Sequence, residues 1–281
     1  MSALSQSIEQ REVRRQGAVR ASWTAFLAII SRDLLVTRRQ AITFLLQTLV
    51  QPLFFLFVFG KVFTNIGVAN GAFPALLLPG IVALTTFLTA MQSTSIDLAR
   101  DLGFTLEIED RLLAPIPITL VAIEKILLAA LRGLIAGALV FPLAYLILGD
   151  AYHVRTDHLA VLIGLLILIA FVGASLGVLL GVLAPVQQLA LVFALVLTPL
   201  IFTGCTYYPW AALGSIKWFQ IVTLFNPLTY AAEGMRYAMV PPIQGFELQT
   251  LDIGWVLLAL GTVLVACLIG GVLLFRRRVV N

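Results

Sequence analysis

Acidic and basic side chains are concentrated in one short segment, residues 97–117, which lies between two long apolar stretches. Five of the chain's 14 acidic residues fall there, and they alternate with phenylalanine and leucine before the segment ends at Pro115 and Pro117. A solvated turn would not need these apolar side chains. We therefore interpret the segment as a short helix that docks in a groove of another protein, where its carboxylates meet basic residues. An ordinary charged loop is the alternative.

Residue types that commonly carry catalysis or bind metals are sparse. His153 and His158 share one short loop, and Cys205 and Cys267 stand at no metal-ligand or redox spacing. We expect solvated histidines and cysteines that fill small apolar spaces, with no catalytic residue and no metal site.

Six apolar stretches, each long enough to cross a bilayer, must position these segments. Hydrophobic residues make up 60% of the 281 residues and charged residues only 11%. About 20 apolar residues in a helix span a hydrocarbon core, and backbone hydrogen bonding in lipid favours helices. We predict an all-α polytopic membrane protein, with a leader at 1–40 and a transmembrane domain at 41–281. The predicted spans are 42–63, 74–96, 120–148, 159–184, 188–206 and 253–275.

Arginine and lysine indicate which ends of the spans face the cytoplasm. They are dense in the leader, in the joint at 97–119 and in the C-terminal tail. The opposite side carries only Lys61, Arg155, Lys217 and Arg236. We predict a multi-pass protein of the plasma (inner) membrane with both termini in the cytoplasm and its cationic flanks against membrane lipids. No basic, aromatic-interleaved soluble face is present to bind nucleic acid.

An amphipathic helix is predicted just before the first span. Its apolar residues recur at helical spacing, and its polar residues fall mostly elsewhere on the wheel. The apolar set is Trp23, Phe26, Leu27, Ile30 and Leu34, and the polar set includes Ser31, Arg32, Asp33, Arg38 and Arg39. The helix would lie along the inner leaflet, either as a simple anchor or as a contact for a cytoplasmic partner.

The joint at 207–252, on the predicted outer side, is too apolar for a solvated loop and too interrupted for a span. Asn226 followed by Pro227 is a helix-start signal, because asparagine caps free amides and proline needs no amide partner. We expect two short re-entrant helices that dip into the outer leaflet. They would cover or line a pathway, or form an inert plug.

The pathway through the spans is predicted to be apolar, since no acidic residue falls near the middle of a predicted span. Arg132 alone is placed deep, and it is either a functional residue or one that snorkels to the inner interface. Such a path suits an amphiphile better than an ion. Ser175, between Gly173 and Gly177, indicates close helix packing rather than a protease nucleophile.

Three patterns occur in the order seen in one known family. They are Arg111-Leu-Leu-Ala-Pro115-Ile-Pro117 followed by Glu124-Lys125, the turn Tyr207-Tyr208-Pro209-Trp210, and Asn226-Pro227-Leu-Thr-Tyr230 leading into Glu233-Gly-Met-Arg236. With six spans and a long joint before the last, the whole chain resembles the membrane subunits of type-2 ATP-binding-cassette exporters. That group includes daunorubicin-resistance-type drug permeases and nodulation and polysaccharide exporters.

The resemblance implies roles for three groups of residues. The helix at 21–39 would be the connecting helix, with Trp23, Arg32, Asp33, Arg38 and Arg39. The helix at 100–111 would be the coupling helix, which is moved by the conformational change of the ATPase. The residues implied for the coupling loop that contains this helix are Arg100, Asp101, Gly103, Phe104, Glu107, Glu109, Asp110, Arg111 and Pro115. The outer re-entrant helices at 208–240 would contain Tyr208, Pro209, Asn226, Pro227, Tyr230, Glu233 and Arg236.

The resemblance also implies a half-transporter. Two such subunits would pair, as a homodimer or a heterodimer, and bind two copies of an ATP-binding-cassette ATPase. The chain has no G-x-x-x-x-G-K-[ST] phosphate loop, so ATP and Mg²⁺ would bind to the partner and the chain itself would be no enzyme. The exported cargo would be a drug-like, lipid-like or other amphiphilic molecule, as in drug efflux and antibiotic resistance, or alternatively a polysaccharide or lipid-linked glycan.

Two other classes of protein fit the sequence less well. A secondary transporter driven by an ion gradient would be expected to hold Asp, Glu or His relays inside its spans. An intramembrane protease would need a serine with a His or Lys base, or two buried aspartates. No histidine or aspartate falls within the predicted spans.

Overall fold

A computed structural model describes residues 30–35, 37–39, 41–68, 73–103, 118–149, 152–241 and 249–280. These residues are nearly all helical, and no strand occurs among them. A helical N-terminal segment, residues 30–35 and 37–39, comes first. The helices that follow are α1 (Ala41–Asn65), α2 (Phe73–Gly103), α3 (Ile118–Leu148), α4 (Leu159–Leu183), α5 (Leu189–Thr203), α6 (Lys217–Thr223), α7 (Pro227–Met239) and α8 (Ile253–Val280).

Six of these helices are long and apolar enough to cross a membrane, which confirms the prediction of an all-α polytopic fold. They are α1 to α4, α8, and α5 together with the 3-10 turn that precedes it. The two short helices α6 and α7 follow a 3-10 turn at Trp210–Ser215 and occupy the predicted re-entrant segment. We call α6 and α7 the hairpin.

α2 is the central helix of the bundle. It is apolar around most of its circumference, and such a helix is stable only where neighbouring elements cover it. Helices α3, α4 and α7 pack around it. The side chains of Leu77, Ile81, Phe87 and Met91 are each no more than 1% exposed. The core of the molecule is therefore centred on α2.

Glycines of α4 allow its close contact with α2. A Cβ atom at Gly173 would overlap the carbonyl oxygen of Phe87, and one at Gly177 would overlap that of Met91. Small residues at four-residue spacing let helix backbones approach each other in lipid, where dispersion contacts hold helices together. The contact is the close packing predicted around Ser175.

Consecutive spans run antiparallel, so the bundle has two distinct ends. Near the end of α8, Arg278 donates a hydrogen bond to the carbonyl oxygen of Val182 at the end of α4. The N-terminal segment lies at this end as well, where Asp33 approaches Lys125 of α3. We call this end the termini end and the opposite one, where the hairpin packs, the hairpin end.

α2 is longer than predicted, since it continues to Gly103 rather than ending near residue 96. Its last two turns carry Asp97 and Asp101, which the sequence analysis assigned to the loop. Both carboxylates pair with cations of α3, so the helix can continue past its apolar run. The remainder of the predicted coupling loop, 104–117, lies outside the described residues.

α1 changes its helical geometry near the hairpin end. It is α-helical to Phe55, and the stretch Leu56–Val62 that follows is π-helical. The ring of Phe55 stacks on that of Tyr207 with centroids 4.7 Å apart, whereas Phe54 is 60% exposed. One aromatic side of α1 therefore packs against the bundle and the other faces outward, as expected of a helix between protein and lipid.

Candidate functional site

A cluster of charged side chains connects the N-terminal segment to the bundle at the termini end. Lys125, which is 6% exposed, has its Nζ atom 2.9 Å from Oδ2 of Asp101 and 3.7 Å from Oδ2 of Asp33. Burial alone would raise the pKa of Asp33. The positive charge of Lys125 and side-chain hydrogen bonds with Arg32 and Glu124 nevertheless hold this pKa below its ordinary value. The ionised Asp33 thus attaches the segment to α3.

Arg132 of α3 forms a second attachment next to this cluster. Its guanidinium donates hydrogen bonds to Oδ2 of Asp97 at 2.7 Å and to Oγ1 of Thr37 at 2.9 Å. Asp97, which we had expected outside the spans, lies on α2 and compensates the arginine's charge within the bundle. Arg132 therefore joins α2, α3 and the N-terminal segment, a role that neither of the two predicted alternatives described.

The residues assigned to the connecting and coupling helices are only partly described. Asp33 and Asp101 meet at Lys125, whereas Arg38 and Arg39 are exposed. Three others have described positions. Arg32 contacts Asp33, and Arg100 is exposed on the last turn of α2. Gly103 ends that helix beside Val186. Trp23, Phe104, Glu107, Glu109, Asp110, Arg111 and Pro115 lie outside the described residues.

Asn226 begins α7, as its sequence pattern predicts, and Pro227 occupies the first turn. The side-chain oxygen of Asn226 accepts a hydrogen bond from the backbone N–H of Leu228 at 2.9 Å. Its Nδ2 atom donates to the carbonyl oxygen of Leu200 at 2.7 Å and to Oγ1 of Thr203 at 2.8 Å. One side chain therefore caps the hairpin helix and binds it to the end of α5.

A fully buried ion pair fastens the hairpin to the rest of the bundle. Nη1 of Arg236 lies 2.7 Å from Oε1 of Glu233, and neither side chain is exposed. Arg236 also donates to the carbonyl oxygens of Leu76, at 3.2 Å, and Thr206, at 2.9 Å. The same Glu233 oxygen accepts a hydrogen bond from the backbone N–H of Trp210 at 2.9 Å. Arg236 thus lies within the predicted re-entrant segment, but it is fully buried, whereas its sequence pattern suggests a charge at the end of a span.

The other predicted hairpin residues have structural contacts. The hydroxyl of Tyr208 donates to the carbonyl oxygen of Phe202 at 2.6 Å. Pro209 precedes the 3-10 turn at Trp210–Ser215, and the half-buried Tyr230 packs against the main apolar core. These contacts stabilise the hairpin end, and none of them brings the tyrosines to the charged cluster at the other end.

A cleft of about 1010 Å³ lies between α1, α2 and the N-terminal segment. Its lining changes along its length, from the charged cluster at the termini end, through uncharged polar side chains, to apolar side chains nearer the hairpin end. The uncharged polar residues, which we call the polar lining, are Thr43, Gln47, Thr48, Gln51, Thr85, Thr89, Gln92 and Ser93. The apolar residues nearer the hairpin end are Pro52, Phe55, Ile81, Leu84 and Leu88, and two further apolar residues, Phe44 and Ile96, lie nearer the termini end. The lining of this cleft is therefore partly polar, whereas the sequence predicts an apolar transport path.

A four-residue stripe on α2 is the sequence signal that could have revealed the cleft. Thr85, Thr89, Ser93 and Asp97 recur every four residues, so their side chains lie on one face of the helix. A search of the spans for charged residues alone misses Thr85, Thr89 and Ser93, because these three side chains are uncharged. The stripe faces polar residues of α1 across the cavity.

Comparison with known proteins gives a consistent family assignment. The family model described as "ABC-2 type transporter" matches residues 24–240, which is well over half of the chain. A relative named "Putative transport permease ycf38" from Pyropia yezoensis is 29% identical over 250 residues, covering 85% of this chain and 81% of the relative. The protein of the same name from Porphyra purpurea is 27% identical, with 84% and 81% covered. "Inner membrane transport permease YadH" from Escherichia coli strain K12 is 26% identical over 226 residues, with 78% and 84% covered.

Proposed function

The chain belongs to the ABC-2 type transporter family, and from that premise we propose that it is the membrane-spanning permease subunit of an ATP-driven exporter. It is a multi-pass membrane protein, and its relatives are named as transport permeases. The family implies association with an ATPase partner. In the proposed assembly two permease subunits pair in the plasma membrane, both termini face the cytoplasm, and two ATPase subunits bind at the termini end.

The proposed mechanism uses the charged cluster as the point where force enters the bundle. ATP-driven closure of the partners would push on the joint at 97–117, which begins on the last turns of α2. Because Lys125 and Arg132 connect these turns to α3 and to the N-terminal segment, the three elements would move together. Two states of the paired bundles with different cargo affinity are sufficient for transport.

The graded lining of the cleft is the observation that carries the proposed cargo class. Polar groups of α1 and α2 lie beside apolar ones such as Phe55 and Leu88 in the same cavity. A molecule with a polar head and an apolar body matches both parts, whereas a small inorganic ion would leave the apolar part unused. We therefore propose an amphiphile, drug-like or lipid-like, as the exported cargo.

A lipid-linked glycan exporter of the same family is the second candidate function. The hydroxyl and amide groups of the polar lining would suit sugar hydroxyls. A sugar-polymer channel should in addition present rings of aromatic side chains, and among the described lining residues only Phe44 and Phe55 are aromatic. The lining therefore favours an amphiphile over a sugar polymer as the cargo.

An ion-driven mechanism is the alternative from another class, because carboxylates do occur inside the bundle. Asp97 and Asp101 each lie within 3 Å of a basic nitrogen, and so does Glu233. Each of these three carboxylates is therefore paired within the bundle and is not arranged as one of a series of relay groups. Transport that continues in the presence of uncouplers while ATP is clamped would exclude this mechanism, whereas transport abolished by uncouplers under the same clamp would favour it.

Reversing charges in the predicted coupling loop tests the proposed partnership. The double variant Glu107→Lys with Asp110→Lys should abolish co-purification of the ATPase, because the two new lysines would repel the basic residues of the partner that the carboxylates are proposed to meet. Asp157→Lys, in the short loop before α4 at the hairpin end, is the control and should leave co-purification intact. Unchanged co-purification of the double variant would contradict the assignment of this loop.

A further inference from the structure

The polar lining faces the cavity between α1 and α2 from both sides. Thr43, Gln47 and Gln51 recur every four residues along α1, and Thr85, Thr89 and Ser93 do so along α2. On the same helix, Leu46 is 65% exposed and Val50 is 50% exposed, and neither lines the cleft. α1 therefore separates an apolar outer surface from a polar inner one.

The hydrogen-bonding groups of the polar lining are open toward the cavity. None of its eight side chains forms a hydrogen bond with another residue that the structure describes. Hydroxyls on other faces of α2 behave differently, since Thr86, Thr94 and Ser95 each donate to a carbonyl oxygen of their own helix at 2.8–3.0 Å. The lining is thus distinguished from its neighbours by its open donors and acceptors.

Open polar groups at this position require something to bind to them. Leaving a hydroxyl or amide unpaired in a medium without hydrogen-bond partners is unfavourable, and a lipid core offers no such partners. Eight such groups facing one cavity would be costly unless water or a ligand fills it. The cavity has room for either, with a volume of about 1010 Å³.

Two of the cations that line the termini end of the cleft, Arg132 and Lys125, are paired with carboxylates of α2. Arg132 is bound by Asp97 at 2.7 Å, and Lys125 lies 2.9 Å from Asp101. An ionic head group would have to displace one of these partners, whereas an uncharged one would leave them in place. The cleft therefore favours uncharged groups that donate and accept hydrogen bonds.

We propose that the cleft between α1 and α2 is a hydrated binding site for the uncharged, hydroxyl- or amide-rich head group of an amphiphile. The apolar residues nearer the hairpin end, among them Phe55 and Leu88, contact the amphiphile's apolar body. This inference rests on the proposed function, because it identifies the cargo class of the same permease. It narrows that class by excluding cationic and anionic head groups.

Labelling of single cysteines tests whether the cleft is hydrated. Both native cysteines, Cys205 and Cys267, are buried and should give little background. In nanodiscs, a charged methanethiosulfonate reagent should label Gln47→Cys and Thr89→Cys at least about tenfold faster than Leu46→Cys, because the reacting thiolate needs water. Leu46 is the matched control, since it neighbours Gln47 at the same depth of α1. Equal rates at all three positions would overturn the proposal, as would failure of the two cleft positions to react.

Protection of the same cysteines tests the head-group class. n-Dodecyl-β-D-maltoside, dodecyltrimethylammonium and dodecyl sulfate share one alkyl chain and differ in head group. At equal mole fraction in the nanodisc, only the maltoside should slow labelling of Gln47→Cys and Thr89→Cys, by about fivefold or more, since only its head satisfies the lining without displacing an ion pair. Equal protection by a charged amphiphile, or no protection by the maltoside, would refute the head-group assignment.

A conservative variant distinguishes failure of the cleft from failure of the proposed function. Thr85→Val, Thr89→Val and Ser93→Ala together keep the volume of the stripe nearly unchanged but remove its hydroxyls. As a cargo analogue, the maltoside should stimulate ATP hydrolysis by the wild-type complex. The triple variant should still co-purify with the ATPase but should lose this stimulation. Retained stimulation would overturn the cleft proposal, whereas a wild-type chain that binds no ATPase would overturn the proposed function and leave the labelling result to stand alone.

Discussion

The buried pair of Glu233 and Arg236 is the single-residue feature on which the hairpin end depends most. Arg236 satisfies its donors with Glu233 and with carbonyl oxygens from two other parts of the chain. A planar guanidinium presents five N–H donors in a rigid fork, so it can reach acceptors from several parts of the chain at once. The pair thus holds α7 against the start of α2 and the turn after α5.

Arg236→Met should destabilise the protein by about 3–5 kcal/mol, because it leaves the carboxylate of Glu233 buried without its cation. The double variant Glu233→Gln with Arg236→Met should recover part of this loss. Thermal unfolding of the purified protein in nanodiscs measures both effects. Arg155→Met is the control, since Arg155 pairs with Asp157 at the surface, and it should change the melting temperature little. A similar change for both arginines would contradict the structural importance of the buried pair.

Single residues also show where sequence reasoning succeeds and where it does not. The cap formed by Asn226 was predictable, because a cap depends only on the residues next to it. The burial of Arg236 was not, because its acceptors Leu76 and Thr206 are distant in sequence. The same reason explains Asp97, whose partner Arg132 lies on another helix.

At the scale of elements, the α2–α4 contact depends on glycine. Gly173→Val should greatly reduce the yield of folded protein, since the added side chain would overlap the backbone of α2 at Phe87. Gly164→Val, on the same helix, is a matched control because no other described residue lies within 4 Å of the position that its Cβ atom would occupy. Fluorescence-detected size-exclusion chromatography of the two variants gives the comparison. Equal monodisperse yields would show that the helices do not approach this closely.

The N-terminal segment should be held in place by two side chains. Asp33→Asn with Thr37→Val removes the contacts to Lys125 and Arg132, so amide hydrogen exchange in this segment should rise by about tenfold or more as the helix opens locally. Exchange measured by mass spectrometry in nanodiscs reports this opening. Arg38→Gln with Arg39→Gln is the control, because both arginines are exposed. Faster exchange in the control alone would contradict the attachment.

Acid should release the same segment. The pKa of Asp33 is lower in the folded protein than its ordinary value of 3.8, so its contribution to stability is complete above that pH. The contribution is lost as the pH falls below 3.8 and the carboxylate becomes protonated. Hydrogen exchange of the wild-type segment should therefore approach that of the Asp33→Asn variant at low pH, and a constant difference between them would be evidence against the ion pair.

The helix bounds were largely predictable from apolar length, since the lipid core fixes how many residues must be apolar. The end of α2 was the clearest exception. Its last turns carry charges that a single stretch of sequence gives no reason to place in the bundle, and their partners Lys125 and Arg132 come from α3. The cleft was missed for a related reason, because its polar groups are uncharged and belong to two helices that only the fold brings together.

At the scale of the whole molecule, α2 connects the two ends of the bundle. Its first turns accept a hydrogen bond from Arg236 at Leu76, and its last turns hold Lys125 and Arg132 through Asp101 and Asp97. The cleft lies along the length between them. In the proposed ATP-driven mechanism, a push on the termini end would therefore reach the cleft and the hairpin through one continuous helix.

The claim that this chain works with a separate ATPase can be tested by affinity purification of the tagged chain from its native membrane in mild detergent. We predict a stoichiometric partner that contains a phosphate-binding loop, identified by mass spectrometry, together with vanadate-sensitive ATP hydrolysis by the purified complex. Recovery of the chain without any ATPase, even after crosslinking in the membrane, would contradict the claim and favour a transporter driven by an ion gradient.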